Sequence, residues 1–129
     1  MLPSIDQEYL RARASDAAVS LDGGMICVVI PRLPLPAGFT VAQADLLLRL
    51  SPGYPDVPPD MWWFQPAVIR TDGRPITMTQ VQETYFLRVW QRWSRHLQPG
   101  QWRSGIDSLE SYLALVRGEL DAAARMTAA

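Results

Sequence analysis

Tyr54-Pro55-Asp56-Val57-Pro58-Pro59-Asp60 is the stretch on which the fold turns. Each of its prolines fixes φ and removes an amide donor, so the segment fits neither a helix interior nor a central strand. The residues before the prolines are pushed towards extended backbone. The segment therefore reads as a stiff, turn-rich connector. On its N-terminal side Gln43 to Leu50, rich in leucine, reads as a strand that ends at Ser51-Pro52-Gly53. On its C-terminal side Met61 to Gln65 reads as a short strand.

Working outward, Ala17 to Leu21 and Met25 to Pro31 are β-type runs separated by Asp22-Gly23-Gly24, a hairpin signal. Leu33-Pro34-Leu35-Pro36-Ala37-Gly38 reads as a loop, because its prolines cannot continue a central strand. Ser4 to Ala14 reads as a helix with Ser4 as N-cap, Glu8 in its first turns and Ile5, Tyr9 and Ala12 at helical spacing. Beyond the connector, Arg70 to Pro75 has loop composition. Ile76 to Trp93 is open: Val81, Tyr85 and Val89 recur at spacing four, whereas Thr84-Tyr85-Phe86 suits a strand. Ile106, Leu109, Leu113, Val116 and Leu120 form a helical stripe, with Ser104 and Asp107 placed as a capping-box-like start. Gly118 weakens that helix, and residues 1–3 and 122–129 are expected to fray. The order is α+β: helix, four-stranded antiparallel meander, irregular middle, helix.

The chain has 129 residues, and residues 1–129 are expected to form one domain. A net charge of −1 gives no reason to expect nucleic acid or an anionic membrane as partner. The single cysteine, Cys27, excludes an internal disulfide, and no Cys/His cluster offers a zinc site, so neither a metal nor a cofactor is expected. Cys27 lies in the apolar run Ile26-Cys27-Val28-Val29 and reads as a buried structural residue. Met1 to Leu10 carries Asp6 and Glu8 and lacks the apolar run of a signal peptide. No stretch approaches the ~20 apolar residues of a membrane span. A cytoplasmic location is expected. All twelve basic residues are arginine, which fits either biased codon usage or the avoidance of self-acylation by a protein that handles an acyl group.

The chemistry concentrates in Trp93-Ser94-Arg95-His96-Leu97-Gln98-Pro99-Gly100-Gln101-Trp102. It holds the only histidine, the side chain that titrates near neutrality. Ser94 is a nucleophile candidate, and in an extended segment Ser94 and His96 share a face. Arg92 and Arg95 flank the pair. Trp62 and Trp63 adjoin on a strand and point to opposite faces, so one is expected in the core, while the other is open to either packing or a place on a binding surface. Trp90, Trp93 and Trp102 suit packing around this segment. Asp45 reads as solvent-facing or paired with an arginine. Arg88, Arg92, Arg95 and Arg103 form either a solvated face or a dock for an acidic surface or a carboxy-terminus.

Tyr54-Pro55-x-x-Pro58-Pro59 resembles the Y-P-x-x-P-P signature that follows the third strand of ubiquitin-conjugating enzymes. Trp102-Arg103-Ser104-Gly105-Ile106 and the helix after it resemble that family's Trp-Ser-Pro and following helix. The resemblance runs from the first helix to about Leu120, is nearest to a bacterial branch called prokaryotic family E, and the Trp-Ser-Arg-His run looks like that branch's hallmark. It implies the ubiquitin-conjugating (UBC-like) fold: an N-terminal helix, a four-stranded meander, an irregular active-site region and a C-terminal helix. In that family the catalytic cysteine stands eight residues before the tryptophan. Counting back from Trp102 gives Ser94.

The departures are as informative. No cysteine stands at that position, and Gln65-Pro66-Ala67 replaces a His-Pro-Asn motif whose asparagine steadies the loop or the oxyanion. The stretch between Ala67 and Ser94 is longer than in the classical enzymes, which implies an insertion.

The first reading is thus an enzyme that accepts a ubiquitin-like protein from an activating-enzyme-like protein as an oxyester on Ser94. His96 acts as general base and Arg95 neutralises developing charge. Arg92, Trp93 and Trp102 are the binding candidates. The family's setting adds a JAB-type metalloprotease as a pathway partner and antiphage defence as a role. The rival is an inactive variant that binds the ubiquitin-like protein or its activating enzyme as an adaptor. An unrelated Ser/His hydrolase is weaker, because no Gly-x-Ser-x-Gly elbow is present.

Overall fold

The structure is a computed structural model and describes residues 1–125. Its elements in chain order are α1 (Ser4–Arg13), β1 (Ala18–Asp22), β2 (Met25–Pro34), β3 (Gln43–Leu50), β4 (Trp62–Gln65), β5 (Gln82–Tyr85), β6 (Arg88–Trp93) and α2 (Leu109–Ala124). The strands form one antiparallel sheet in the order β1-β2-β3-β4-β6-β5. The α+β order with a helix at each end matches expectation; the strand count does not. The expected four-stranded meander is present as β1 to β4, and two further strands join it, because Ile76 to Trp93, expected to be irregular, supplies a hairpin beside β4. The spacing of Val81, Tyr85 and Val89 suggested a helix, yet Val81 and Val89 are exposed and Tyr85 lies on the opposite sheet face from Val89.

Gly23 and Gly24 both take positive φ, 56° and 77°, which lets a two-residue turn join β1 to β2. β2 runs on to Pro34 through a register shift between Ile30 and Leu33, so the prolines did not end the strand. The reason is topological. β1 pairs only up to Val29, and beyond it β2 is bonded on the β3 side alone, where a proline's missing amide costs nothing on the open side.

Alternation splits the sheet's side chains between two cores. One face (Ile26, Val28, Ile30, Leu46, Leu48, Leu50, Trp62, Phe64 and Trp93) packs with Leu109, Tyr112, Leu113, Val116 and Leu120 of α2. The other face buries Cys27, Leu47, Trp63 and Trp90. The guanidinium planes of Arg49 and Arg88 lie over Tyr85 and Trp90 on this side. Trp62 and Trp63 do face opposite ways, but both are buried, so neither forms a binding surface.

Asp6 joins the two helices to the connector. It is 1 % exposed. Its Oδ2 accepts the Tyr54 hydroxyl at 2.7 Å and its Oδ1 accepts the Leu109 N–H at 3.0 Å. The helix ends also differ from expectation. Pro3, not Ser4, precedes α1, and Ile5 is exposed while Leu2, Asp6 and Leu10 are buried. Leu2 is held by Gln7, whose Nε2 donates to its carbonyl at 2.7 Å, so the first residues do not all fray. α2 starts after Ser108, whose N–H donates to Ser111 Oγ at 2.9 Å. Ile106 is exposed, and Asp107 instead accepts the Arg103 N–H at 2.7 Å in the preceding turn. Residues 122–124, expected to fray, are helical, with Ala123 buried and its carbonyl bonded by Arg70. The expected fraying of residues 126–129 lies outside the described residues.

Candidate functional site

The segment that follows β6 is fixed by the strand it leaves. Alternation sends Trp93 into the α2-side core and Arg92 to the opposite face, where it pairs with Glu83 at 3.7 Å. Glu83 also accepts the Trp63 indole N–H at 2.8 Å. Ser94 is half-buried, its N–H donates to the Met78 carbonyl at 3.0 Å, and its Oγ accepts from Arg92 Nε at 3.1 Å. The chain then turns, with the Arg95 N–H donating to the Trp93 carbonyl at 3.0 Å.

That turn separates the residues expected to act together. Arg95 reaches the other way: its guanidinium donates to the Thr77 carbonyl at 2.8 Å, pairs with Glu119 of α2 at 3.3 Å and lies over the Trp93 ring. His96 is exposed, and its Nδ1 lies 2.6 Å from Asp60 Oδ1. A proton on Nδ1 satisfies that carboxylate and leaves Nε2 as the free nitrogen, so Asp60 orients a potential base. Among the described residues no hydrogen bond joins Ser94 to His96. The Arg95 N–H to Trp93 carbonyl bond bends the chain at Ser94, so the segment does not continue β6 as the extended strand on which the shared face was inferred.

The remaining candidates resolve individually. Trp93 is fully buried and stacks on Trp62, which makes it a core residue rather than a contact surface. Trp102 is half-buried, donates its indole N–H to the Pro55 carbonyl at 2.8 Å and packs with Tyr54 and Tyr112. It clamps the proline connector to α2. The four arginines do not form one patch: Arg88 pairs with Asp45 at 2.7 Å, Arg92 with Glu83 and Arg95 with Glu119, while Arg103 is exposed. Burial alone would raise the Asp45 pKa, but the Arg32 N–H and Arg88 outweigh it and hold this carboxyl below its ordinary value. Cys27 is fully buried and its thiol is pushed up by that burial, so it is no nucleophile.

Two residues here went unnoticed in the sequence. Gln91, buried on β6, accepts the Val68 N–H at 2.8 Å and donates to the Val68 carbonyl at 3.1 Å. It also accepts the Trp93 indole N–H at 3.0 Å. It thus holds the backbone that follows Gln65-Pro66-Ala67, where the Ala67 side chain can bond nothing. A lone glutamine in an ambiguous stretch carries no signal of that. Asp60 shows only its place after Pro58-Pro59, 36 residues from His96.

A family model described as prokaryotic E2 family E matches residues 2–123. No curated protein and no solved structure matches the chain. Among the described residues, no helix is long and apolar enough to cross a membrane, and no cluster of His, Cys, Asp or Glu forms a metal-binding group.

Proposed function

The chain belongs to the prokaryotic E2 family E, and from that membership we propose that Ser94 carries the C-terminus of a ubiquitin-like protein as an oxyester. A conjugating-enzyme-like role and dealings with ubiquitin-like proteins and activating enzymes follow from the family. The serine chemistry is our reading. The observation that carries it is the 3.1 Å hydrogen bond from Arg92 Nε to Ser94 Oγ. A guanidinium held on that oxygen stabilises negative charge as it develops there, which a serine needs far more than a cysteine does. Arg92, rather than Arg95, takes that role.

In loading, Ser94 Oγ forms a bond to the activated C-terminal carbonyl, the bond to the activating enzyme's leaving group breaks, and the hydroxyl proton passes to a base and on to that leaving group. In transfer, the acceptor's nucleophile forms the new bond, the ester C–O bond breaks and Ser94 regains its proton. His96, oriented by Asp60, is the base we assign, brought to Ser94 when the partner binds. A JAB-type metalloprotease in the same pathway and a part in antiphage defence extend this reading.

The adaptor reading has its own support: among the described residues, no base is hydrogen-bonded to Ser94 in the unbound chain. One experiment separates the two. The protein is incubated with an activating enzyme, its ubiquitin-like protein and ATP, and adducts are tested with hydroxylamine, alkali and thiol. An adduct cleaved by hydroxylamine or alkali but not by thiol, absent from Ser94→Ala and retained by Cys27→Ala, is expected. No adduct on wild type, together with a stable complex with the activating enzyme, establishes the adaptor instead. An adduct that persists in Ser94→Ala removes Ser94 from the chemistry.

A further inference from the structure

The β5–β6 hairpin presents an apolar tip that the fold leaves uncovered. Leu87 is fully exposed, and Phe86, Val81 and Val89 are exposed with it. Phe86 and Leu87 also hold φ of 55° and 60°, a region that bulky side chains avoid. β5 is an edge strand of the sheet. The devices that usually keep an edge from pairing are missing from it. Gln82-Glu83-Thr84-Tyr85 has no proline, no lysine and no bulge against β6. An open edge and an uncovered apolar tip thus lie on one hairpin.

The free edge has a defined hydrogen-bonding face. The Arg92 N–H donates to the Val81 carbonyl at 2.8 Å, and the two-residue turn makes Tyr85 and Arg88 a bonded pair. Bonding alternates along an antiparallel ladder, so Val81, Glu83 and Tyr85 turn their backbone groups towards β6. Gln82 and Thr84 turn theirs outward, and among the described residues no backbone partner meets them. Any strand added here has to pair through those two residues.

A second copy of β5 fits that requirement in one register. In an antiparallel pair related by a two-fold axis normal to the sheet, the axis passes through one residue of each copy. Centring it on Glu83 sets like charges opposite each other, which is unfavourable. Centring it on Gln82 leaves Leu87 opposite no residue of β5. Centring it on Thr84 sets Thr84 against its own copy and Glu83 against Tyr85, and it places each Val81 opposite a Leu87. Val89, the β6 partner of Thr84, then flanks the axis in both copies. The apolar residues that one chain leaves exposed are the ones this register gathers.

We infer that the chain forms a two-fold dimer by antiparallel pairing of β5 with β5 of a second copy, centred on Thr84, which joins two six-stranded sheets into one. The inference does not depend on the chemistry at Ser94. Sedimentation equilibrium of the full chain tests it: the mean mass should rise with concentration towards two chains and no further. Val81→Glu and Leu87→Arg should each weaken association about tenfold or more. Combined in one chain they set opposite charges against each other, so the double variant should associate more tightly than either single variant. Phe86→Asn with Leu87→Gly should melt no lower than wild type where both are monomeric, yet dimerise more weakly. Thr84→Cys should cross-link to itself on mild oxidation, because a bonded pair holds its Cα atoms about 5.5 Å apart, within disulfide range. Leu21→Cys, on the opposite edge strand β1, should not. A chain that stays monomeric up to about 1 mM, a mass that passes two chains, or a double variant no tighter than its parents would overturn the inference. So would cross-linking through Leu21→Cys and not through Thr84→Cys.

Discussion

Replacing Asp6 by alanine removes a carboxylate that ties α1, the proline connector and α2 together. Its two oxygens accept the Tyr54 hydroxyl at 2.7 Å and the N–H of Leu109, the first residue of α2, at 3.0 Å. A first-turn N–H has no partner within its own helix, so Asp6 is what satisfies it. Tyr54 and Leu109 are both buried, and water cannot replace the lost acceptor without opening the core. Two stranded donors at about 1–3 kcal/mol each, plus about 0.3–1 kcal/mol for a negative charge at a helix N-terminus, give a loss of about 2–7 kcal/mol. Tyr54→Phe strands one Asp6 carboxylate oxygen but no donor, and the Leu109 N–H keeps its acceptor, so it should cost about 1–3 kcal/mol. The double variant should then be more stable than the sum of the two losses implies, by at least about 1 kcal/mol, because phenylalanine leaves no hydroxyl to strand. Urea unfolding followed by tryptophan fluorescence measures all three, provided the slope stays constant. Additive losses, or an Asp6→Ala cost below that of Tyr54→Phe, would refute the reasoning.

Two further outcomes follow from local structure. Burial first, and then the Asp6 carboxylate, push Tyr54 well above the ordinary tyrosine range. A raised folded-state value means its stabilisation is complete below the unfolded value of about 10 and is withdrawn as pH climbs beyond it. Wild-type stability should therefore fall above that pH, less steeply in Tyr54→Phe, and equal slopes in a pH series of urea melts would contradict the assignment. Phe86 and Leu87 join β5 to β6 with φ of 55° and 60°, a conformation that favours Asn-Gly. The variant carrying Phe86→Asn and Leu87→Gly should be more stable by about 1–3 kcal/mol, and a lower melting temperature would show that the exposed pair contributes contacts to the fold.

Those two residues also explain where the sequence stopped being legible. The strands β1 to β4 announced themselves through apolar runs, Gly23-Gly24 and the proline connector, all local signals. The β5–β6 turn carries none of the residues that usually mark one, and Val81, Tyr85 and Val89 imitate a helix by spacing alone. Ile5 and Ile106 sit on the expected apolar stripes yet are exposed, whereas Asp6, which the sequence marks only as a charge against a signal peptide, is buried. Its burial is decided by Tyr54, 48 residues away, and Leu109, 103 away. No window along the chain contains that information. The site shows the same divide: Ser94 was found by its distance from Trp102, but Asp60 and Gln91 matter only through pairings the fold creates.

Strand geometry then constrains the chemistry itself. Trp93, buried between the two directions, sends Ser94 towards Arg92 on one side and Arg95 towards α2 on the other. For His96 to reach Ser94, the segment has to shift against three anchors. These are the Ser94 N–H to the Met78 carbonyl, the Met61 N–H to the Arg95 carbonyl, and Arg95 to the Thr77 carbonyl. At about 0.5–1.5 kcal/mol each, breaking them costs about 1.5–4.5 kcal/mol. A general base contributes about 10²–10⁴ in rate, or about 3–5 kcal/mol, so the rearrangement recovers its own cost only narrowly. The unbound chain is accordingly at rest with its serine unpaired from its histidine. A partner that contacts the 94–96 segment is what would tip the balance, so the loading on Ser94 that we propose should require the activating enzyme to be docked and not merely an activated C-terminus to be present.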